Sequence, residues 1–354
     1  MKDADYICVL DTGSTDGTWE QLQSFAAGSY SGKLIIRQAI INPWRFDVAR
    51  NEGMKDIPAD ADILFSTDLD ERLVPGWYEA TQAAWTDDTA QGWYLYAWSH
   101  NSDGTPARVF WYNKMHDRNW EWRSPVHENL WPTDGRDPAN VKRINISNKI
   151  MLHHYPTQKE GRSNYFPLLK LRAQEEWNDL YGCSYLAHEY YYQGPSEYAN
   201  GIDFIHSHLL ALVKNHKDDS LLESDAHMFC GLMYAGLNQL DEAEIEFRMG
   251  IAIAPTFREN YIQLANIYNK QQRWTDAINI INEALIKTRH YYSWLEWDNT
   301  WTWYPYDLLS QAYFYSGAID AAYHYAKLAL TLSTNDERLR KNCELIQSYL
   351  KQGN

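Results

Sequence analysis

Residues 6–18 read YICVLDTGSTDGT. Tyr6–Leu10 is a short apolar run, and it stops at Asp11, Thr12 and Gly13. An apolar run that ends in a polar, glycine-containing loop reads as a strand followed by a turn. In open α/β folds the carboxyl ends of the strands are where ligands bind. Glycines let the backbone turn tightly there, and an aspartate can accept hydrogen bonds from a base or a ribose. Ser14 and Thr15 can cap the helix that follows. An ordinary helix-capping loop has the same composition, so the stretch gains meaning only from its surroundings.

Downstream, the pattern predicts a helix from about Thr18 to Ala27, a strand at Leu34–Arg37, a helix at Phe46–Lys55 and a strand at Ile63–Thr67. This β-α-β-α-β alternation predicts a parallel sheet covered by helices. The third strand runs into Asp68-Leu69-Asp70-Glu71. An Asp-x-Asp at a strand end can present both carboxylates to one divalent ion. Mn²⁺ or Mg²⁺ in such a place keeps waters and takes substrate phosphates as further ligands. The ion also answers an electrostatic problem, because an anionic diphosphate approaches a carboxylate-lined pocket only through a bridging cation.

The chain has 354 residues, with 32 Lys and Arg against 47 Asp and Glu, a formal net charge of −15. Its length predicts two domains. Its acidity argues against a sequence-independent nucleic-acid binder and against docking on anionic lipid. No apolar run approaches the ~18–20 residues of a membrane span. The opening MKDADYICVL lacks the apolar core of a signal peptide. Cys8, Cys183, Cys230 and Cys343 are scattered, with no Cys-x-x-Cys pair. That fits reduced thiols in a cytoplasmic protein and gives no zinc signal.

The second half is helical and repetitive. Gly231, Tyr234 and Ala243 recur 34 residues later as Ala265, Tyr268 and Ala277. Ser310, Tyr313 and Ala322 follow after 34 residues plus an 11-residue insertion, and Ala187, Tyr190 and Ala199 form a weaker early copy. This is the tetratricopeptide period. Small residues let the two helices of a repeat approach, and the tyrosine fills the gap between neighbours. Glu337–Leu350 reads as the closing cap helix that a solenoid needs.

The order DTGSTDGT, then FDVARN (Phe46–Asn51), then STDLDE (Ser66–Glu71) resembles the GT-A fold glycosyltransferases of the large inverting family 2. RVF (Arg108–Phe110), VHE (Val126–Glu128), LHHY (Leu152–Tyr155) and the ending DERLRKN (Asp336–Asn342) resemble a bacterial subset in which tetratricopeptide repeats follow the catalytic domain. The resemblance implies a GT-A domain over residues 1–175 and helical repeats over residues 176–354. It implies a nucleotide-sugar pocket of Asp11, Gly13, Ser14, Arg50, Asn51, Asp68 and Arg108. It also implies a metal held by Asp70 with Asp68 and His154, and Glu128 as general base. His153 and His154 are adjacent, so in a strand they face opposite sides. The family usually carries a strand and helix before the strand that starts here at Tyr6. The sequence reads as N-terminally shortened, and one strand is expected to lack a neighbour on that side.

The aromatic excess, 16 Trp and 26 Tyr, divides into clusters. Tyr94, Tyr96 and Trp98 share one face of a strand and read as core, with Trp93 turned away. Trp120 and Trp122 are acceptor-site candidates. The densest cluster, residues 291–306, falls where the repeat period is broken. Trp294, Trp297 and Trp301 there are candidates for acceptor or partner binding, unless the insert folds back on its own repeats. The expected function is a metal-dependent, inverting glycosyltransferase of hexosyltransferase type. It would move sugar from a nucleotide-diphosphate donor, a UDP-sugar first, to a peptide, protein or glycan acceptor. Two other classes compete. One is a non-catalytic tetratricopeptide interaction protein with a degenerate catalytic half. The other is a nucleotidyltransferase, whose usual basic, glycine-rich phosphate loop is missing here.

Overall fold

The computed structural model describes residues 3–100, 103–146, 149–156, 165–215, 219–291 and 293–352. The chain divides into two units, Met1–Glu175 and Glu176–Asn354.

In the first unit, β1 (Ile7–Asp11) and β2 (Leu34–Gln38) lie parallel, Ile7 opposite Leu34, and α1 (Thr18–Ala27) crosses between them. Gly17, at φ 87°, precedes the first turn of α1 and no side chain caps it, so Ser14 and Thr15 do not serve as caps. The helix α2 (Phe46–Met54) follows, then β3 (Leu64–Phe65), β4 (Glu71–Leu73) and α3 (Trp77–Ala84). The remaining elements are β5 (Gln91–Ala97), β6 (Val109–His116), β7 (Trp120–Arg123), β8 (Asn129–Pro132), β9 (Arg143–Asn145), β10 (Met151–His154) and α4 (Tyr165–Glu175).

The expected single parallel sheet is not what forms. Among the described residues β1 pairs only with β2, whereas β3 joins a second sheet in the order β3-β6-β5-β10-β4, with β9 also on β5. That sheet is mixed: β5 runs antiparallel to β6 and parallel to β10. The reason is connection length. The segment between β5 and β6 is too short for the crossover of a dozen or more residues that parallel neighbours need, so the pair closes as a hairpin. Tyr94 and Tyr96 are buried with Trp77, Met115, Ile150 and Leu152, which places these two tyrosines in the core as expected. Trp98, one step further on the same face, is partly exposed.

The second unit is all helix: α5 (Leu180–Gln193), α6 (Tyr198–Phe204), a π-helical turn (Ile205–Leu209), α7 (Leu210–Asn215) and α8 (Ser220–Gly236). Three antiparallel hairpins carry the repeat. They comprise α8 with α9 (Leu240–Ile253), α10 (Glu259–Lys270) with α11 (Trp274–Lys287), and α12 (Tyr304–Tyr315) with α13 (Ile319–Leu332). Asn238, Gln272 and Gly317, at matching repeat positions, all take positive φ and reverse the chain. Ala243, Ala277 and Ala322 are completely buried, as close helix packing requires. Ala199 of the weak early copy is exposed, so that copy does not close in the same way. The final helix, α14 (Glu337–Gln352), buries Leu339 and Ile346 and leaves a charged outer face.

The aromatic insert packs on its own unit. Trp294 lies against Tyr185 and His188, and Trp297 against Phe229. The Arg258 guanidinium sits 3.7 Å from the Trp301 ring. The described aromatics between 291 and 306 are half-buried, so the insert folds back on its own repeats, the alternative left open above; Tyr292 lies outside the described residues. Two buried carboxylates hold the insert. Glu259 accepts from Trp297 N, Thr300 Oγ1 and Trp301 Nε1, and Glu296 accepts from Tyr291 N and Ser293 N.

Burial pushes the Glu259 carboxyl up to about 7 from an ordinary 4.5. The folded chain then holds that proton more tightly than the unfolded one. Its stabilising contribution is full below pH 4.5 and is lost as pH rises through 7. Between pH 4.5 and 8 the wild type should lose about 1–3 kcal/mol that Glu259→Gln does not. Urea unfolding at the two pH values measures this, and an identical pH slope in both proteins would contradict it.

Candidate active site

The Asp11 loop is built around its own carboxylate. Asp11 Oδ1 accepts from the backbone N–H groups of Gly13 (2.9 Å) and Ser14 (3.0 Å) and from Gln38 Nε2 (3.0 Å). The Ser14 hydroxyl and Gln38, with those amides, hold the Asp11 carboxyl far below the usual carboxylate range. In this arrangement Asp11, Gly13 and Ser14 form one turn at the carboxyl end of β1.

A charge network joins the loop beyond β3 to the middle of α2. Arg50 donates through Nε to Glu128 and through a terminal nitrogen to Asp68 Oδ1 (2.9 Å). Its guanidinium also stands 5.0 Å from the Trp122 ring centroid. Burial opposes charge on Arg50, but Glu128 and Asp68 outweigh it and keep the guanidinium protonated. Buried Lys114, on β6, donates to Asp68 Oδ2 (3.0 Å) and Glu71 Oε1 (2.9 Å). Burial alone would raise the Asp68 carboxyl; Lys114 and Arg50 instead bring it down to about 2. Glu71 also accepts from the Tyr96 hydroxyl and from the Asp68 backbone N–H. The loop Asp68–Glu71 is therefore clamped at both ends by buried groups.

Asp70 sits between those clamped ends. Its Oδ2 lies 3.5 Å from His154 Nε2. His154 Nδ1 is 3.2 Å from the Trp98 carbonyl oxygen, and the two rings stack at 4.6 Å. With Nδ1 donating to that carbonyl and the ring neutral, Nε2 would present a lone pair toward Asp70, the outer-shell arrangement of metal-binding histidines. A carboxylate oxygen and an imidazole nitrogen suit Mn²⁺, with waters and phosphate oxygens completing the shell. Asp68 does not join them: among the described residues, Asp68, Asp70 and His154 form no three-ligand group, because the two cations engage Asp68. His153 faces the other way, its Nδ1 2.9 Å from His100 Nε2.

Glu128 lies at the end of the β7–β8 turn, in which Ser124 and His127 take positive φ. Fully buried Arg172 of α4 donates to the carbonyls of Val126 (2.9 Å) and His127 (2.7 Å). The backbone N–H of Phe46 donates to the Pro125 carbonyl. These bonds fix the turn that presents Glu128. Asn51 exchanges two hydrogen bonds with the Trp122 backbone and so ties α2 to β7. Arg108 lies just before β6, its backbone bonded to Ser99 and to Trp98, the residue that stacks on His154. Trp120 and Trp122 are 2% and 4% exposed. That overturns their reading as an acceptor wall, because neither offers a ring face to a sugar.

Lys114 and Arg172 lie outside every sequence motif, Tyr96 reads there only as core, and Glu71 stands in the Asp68–Glu71 stretch without a role of its own. The one available signal was Lys114 itself, a charge set inside the strand YNKMH. Removing one partner of a buried ion pair leaves the other uncompensated, at a cost of about 3–5 kcal/mol. Lys114→Ala should show a loss of that size in chemical unfolding, while Arg123→Ala, in an exposed pair with Glu121, should change little. Equal effects of the two substitutions would contradict the clamp.

Residues 2–133 match the family model of glycosyl transferase family 2. No curated protein matches the chain. Among solved structures, the chain is similar to the APC/C hetero-tetramer Cut9-Hcn1 at 18% identity, covering 53% of this chain and 34% of that one, with a TM-score of 0.43. This chain thus spans about a third of that protein's length. It is similar to MamA at 16% identity, covering 49% of this chain and 82% of that one, with a TM-score of 0.37. It is similar to the first TPR domain of human RPAP3 at 18% identity, covering 36% of this chain and 93% of that one, with a TM-score of 0.32. No helix among the described residues is long and apolar enough to cross a membrane. The chain carries a glycosyl transferase family 2 domain at residues 2–133, followed by tetratricopeptide-like helical repeats.

Proposed function

We propose that the first unit is a divalent-metal-dependent, inverting glycosyltransferase. It moves a hexosyl group from a nucleotide-diphosphate sugar, a UDP-sugar in the first instance, to a hydroxyl of a peptide, protein or glycan. The observation that carries this reading is the Asp70–His154 pair beside the Arg50–Asp68–Glu128 network, inside a family 2 domain.

Asp70 and His154 would hold Mn²⁺ or Mg²⁺, which when bound neutralises the diphosphate as it departs. The Asp11 turn and Asp68 receive the nucleoside side of the donor. Arg50 and Arg108 supply positive charge where the diphosphate enters an otherwise acidic site. Glu128 accepts the proton of the acceptor hydroxyl as that oxygen attacks the anomeric carbon. The bond from that carbon to the diphosphate oxygen breaks on the opposite face, so configuration inverts. Arg50 orients Glu128 for this role, and Arg172 fixes the turn that carries it.

A panel of nucleotide sugars incubated with Mn²⁺ tests the reading. The wild type should turn over at least one of them. Glu128→Gln should reduce kcat by about 10²-fold or more, the usual scale of general-base catalysis, while donor affinity changes little. Equal turnover by Glu128→Gln would remove the base role. No turnover of any donor by the wild type would favour the non-catalytic interaction protein instead.

A further inference from the structure

The helical unit holds its own cluster of ligating side chains. His206 lies in the π-helical turn, Cys230 in α8 and Glu246 in α9. His206 Nε2 is 3.1 Å from Cys230 Sγ and 3.1 Å from Glu246 Oε1. One ligand atom from each of the three lies within 4.8 Å of the others, the one such group among the described residues. Zinc bonds of ~2.0–2.3 Å at tetrahedral angles place ligand atoms about 3.2–3.6 Å apart. The two separations from His206 are within a few tenths of an ångström of that frame, and Cys230 and Glu246 stand within 4.8 Å of each other.

The packing explains the convergence. A Cβ on Gly231 would stand 2.6 Å from the Phe247 ring, so α8 and α9 approach as closely as glycine allows, and Cys230 comes to face Glu246. A Cβ on Gly201 would stand 2.5 Å from Met233 Sδ, so α6 is equally close to α8. The π turn then widens the helix and carries His206 over Cys230. Such turns recur at functional sites.

The surroundings complete a metal site. The other carboxylate oxygen of Glu246 is held by Nδ1 of buried His227 at 2.7 Å, the outer-shell contact that orients a carboxylate ligand. Cys230 and Glu246 are buried, whereas the His206 side chain is 42% exposed. An open cleft of about 380 Å³, lined in part by Asp203, His206, Tyr234 and Gln239, brings solvent to the His206 side of the cluster. An imidazole, a thiolate and a carboxylate with one open position form a zinc donor set. We propose that His206 Nε2, Cys230 Sγ and Glu246 Oε1 bind Zn²⁺, with the fourth position facing the cleft. Binding displaces the thiol proton to solvent.

Cobalt titration of the chelator-stripped full chain tests this. Co²⁺ should produce a thiolate-to-cobalt charge-transfer band, and one equivalent of Zn²⁺ should abolish it. Cys230→Ser should lack the band, Cys183→Ser should keep it, and His206→Ala should weaken Co²⁺ binding at least about 10-fold. Absence of the band in the wild type, or its survival in Cys230→Ser, would overturn the proposal. If Cys230→Ser does not fold, His206→Ala decides, since its side chain is half-exposed; unchanged affinity there overturns the site.

Discussion

The first unit depends on two cations, half-buried Arg50 and buried Lys114. Arg50 and Lys114 come from α2 and β6, and between them they pair with Asp68, Glu71 and Glu128. Carboxylates taken out of water, as Glu71 and Glu128 are, must be paired or protonated, and pairing is what this site uses. The loop Asp68–Glu71 follows a strand of only two residues and runs into β4, whose pairing with β10 sets Glu71 opposite His154. Lys114, Tyr96 and the Asp68 backbone N–H add side-chain and loop bonds to that frame. Asp70 is thereby presented on a fixed frame, free of those cations and next to His154. The same argument places Glu128, whose partner Arg50 also touches Asp68. One set of ion pairs thus spaces the Asp70–His154 pair from Glu128.

Much of this was legible along the chain, for local reasons. The boundaries of β1, α1, β2 and α2 follow from apolar runs broken by glycine and polar loops, and the structure keeps them within a residue or two. The repeats were legible because a 34-residue period places the same small residue at each helix crossing, and Ala243, Ala277 and Ala322 are buried as that demands. Sheet order was not legible. Whether the strand after α2 pairs with β1 or with β6 depends on partners some 50 residues away. The clamp was hidden for the same reason, since Lys114 meets Glu71 across 43 positions.

Aromatic residues were the weakest guide. Trp120, Trp122 and the Tyr291–Tyr306 insert looked like sugar or partner platforms by density alone. Density does not say which face a ring presents. In the fold the rings fill the space under Arg50 and against α5, α8 and α10, and buried Glu259 and Glu296 tie the insert down. The His206–Cys230–Glu246 cluster shows the opposite failure. Its ligands come from three helices, and a π turn shifts the phase of the first, so no spacing motif records them. The scattered cysteines that gave no zinc signal include one that faces a histidine and a carboxylate.

The central claim is that the acidic site meets an anionic donor only through a cation held by Asp70 and His154. Calorimetric titration of UDP into the full chain, with and without Mn²⁺, tests it most directly. The account predicts binding that requires Mn²⁺ and that is lost in Asp70→Ala. UDP binding of equal affinity without metal, or metal-dependent binding that survives Asp70→Ala, would contradict it.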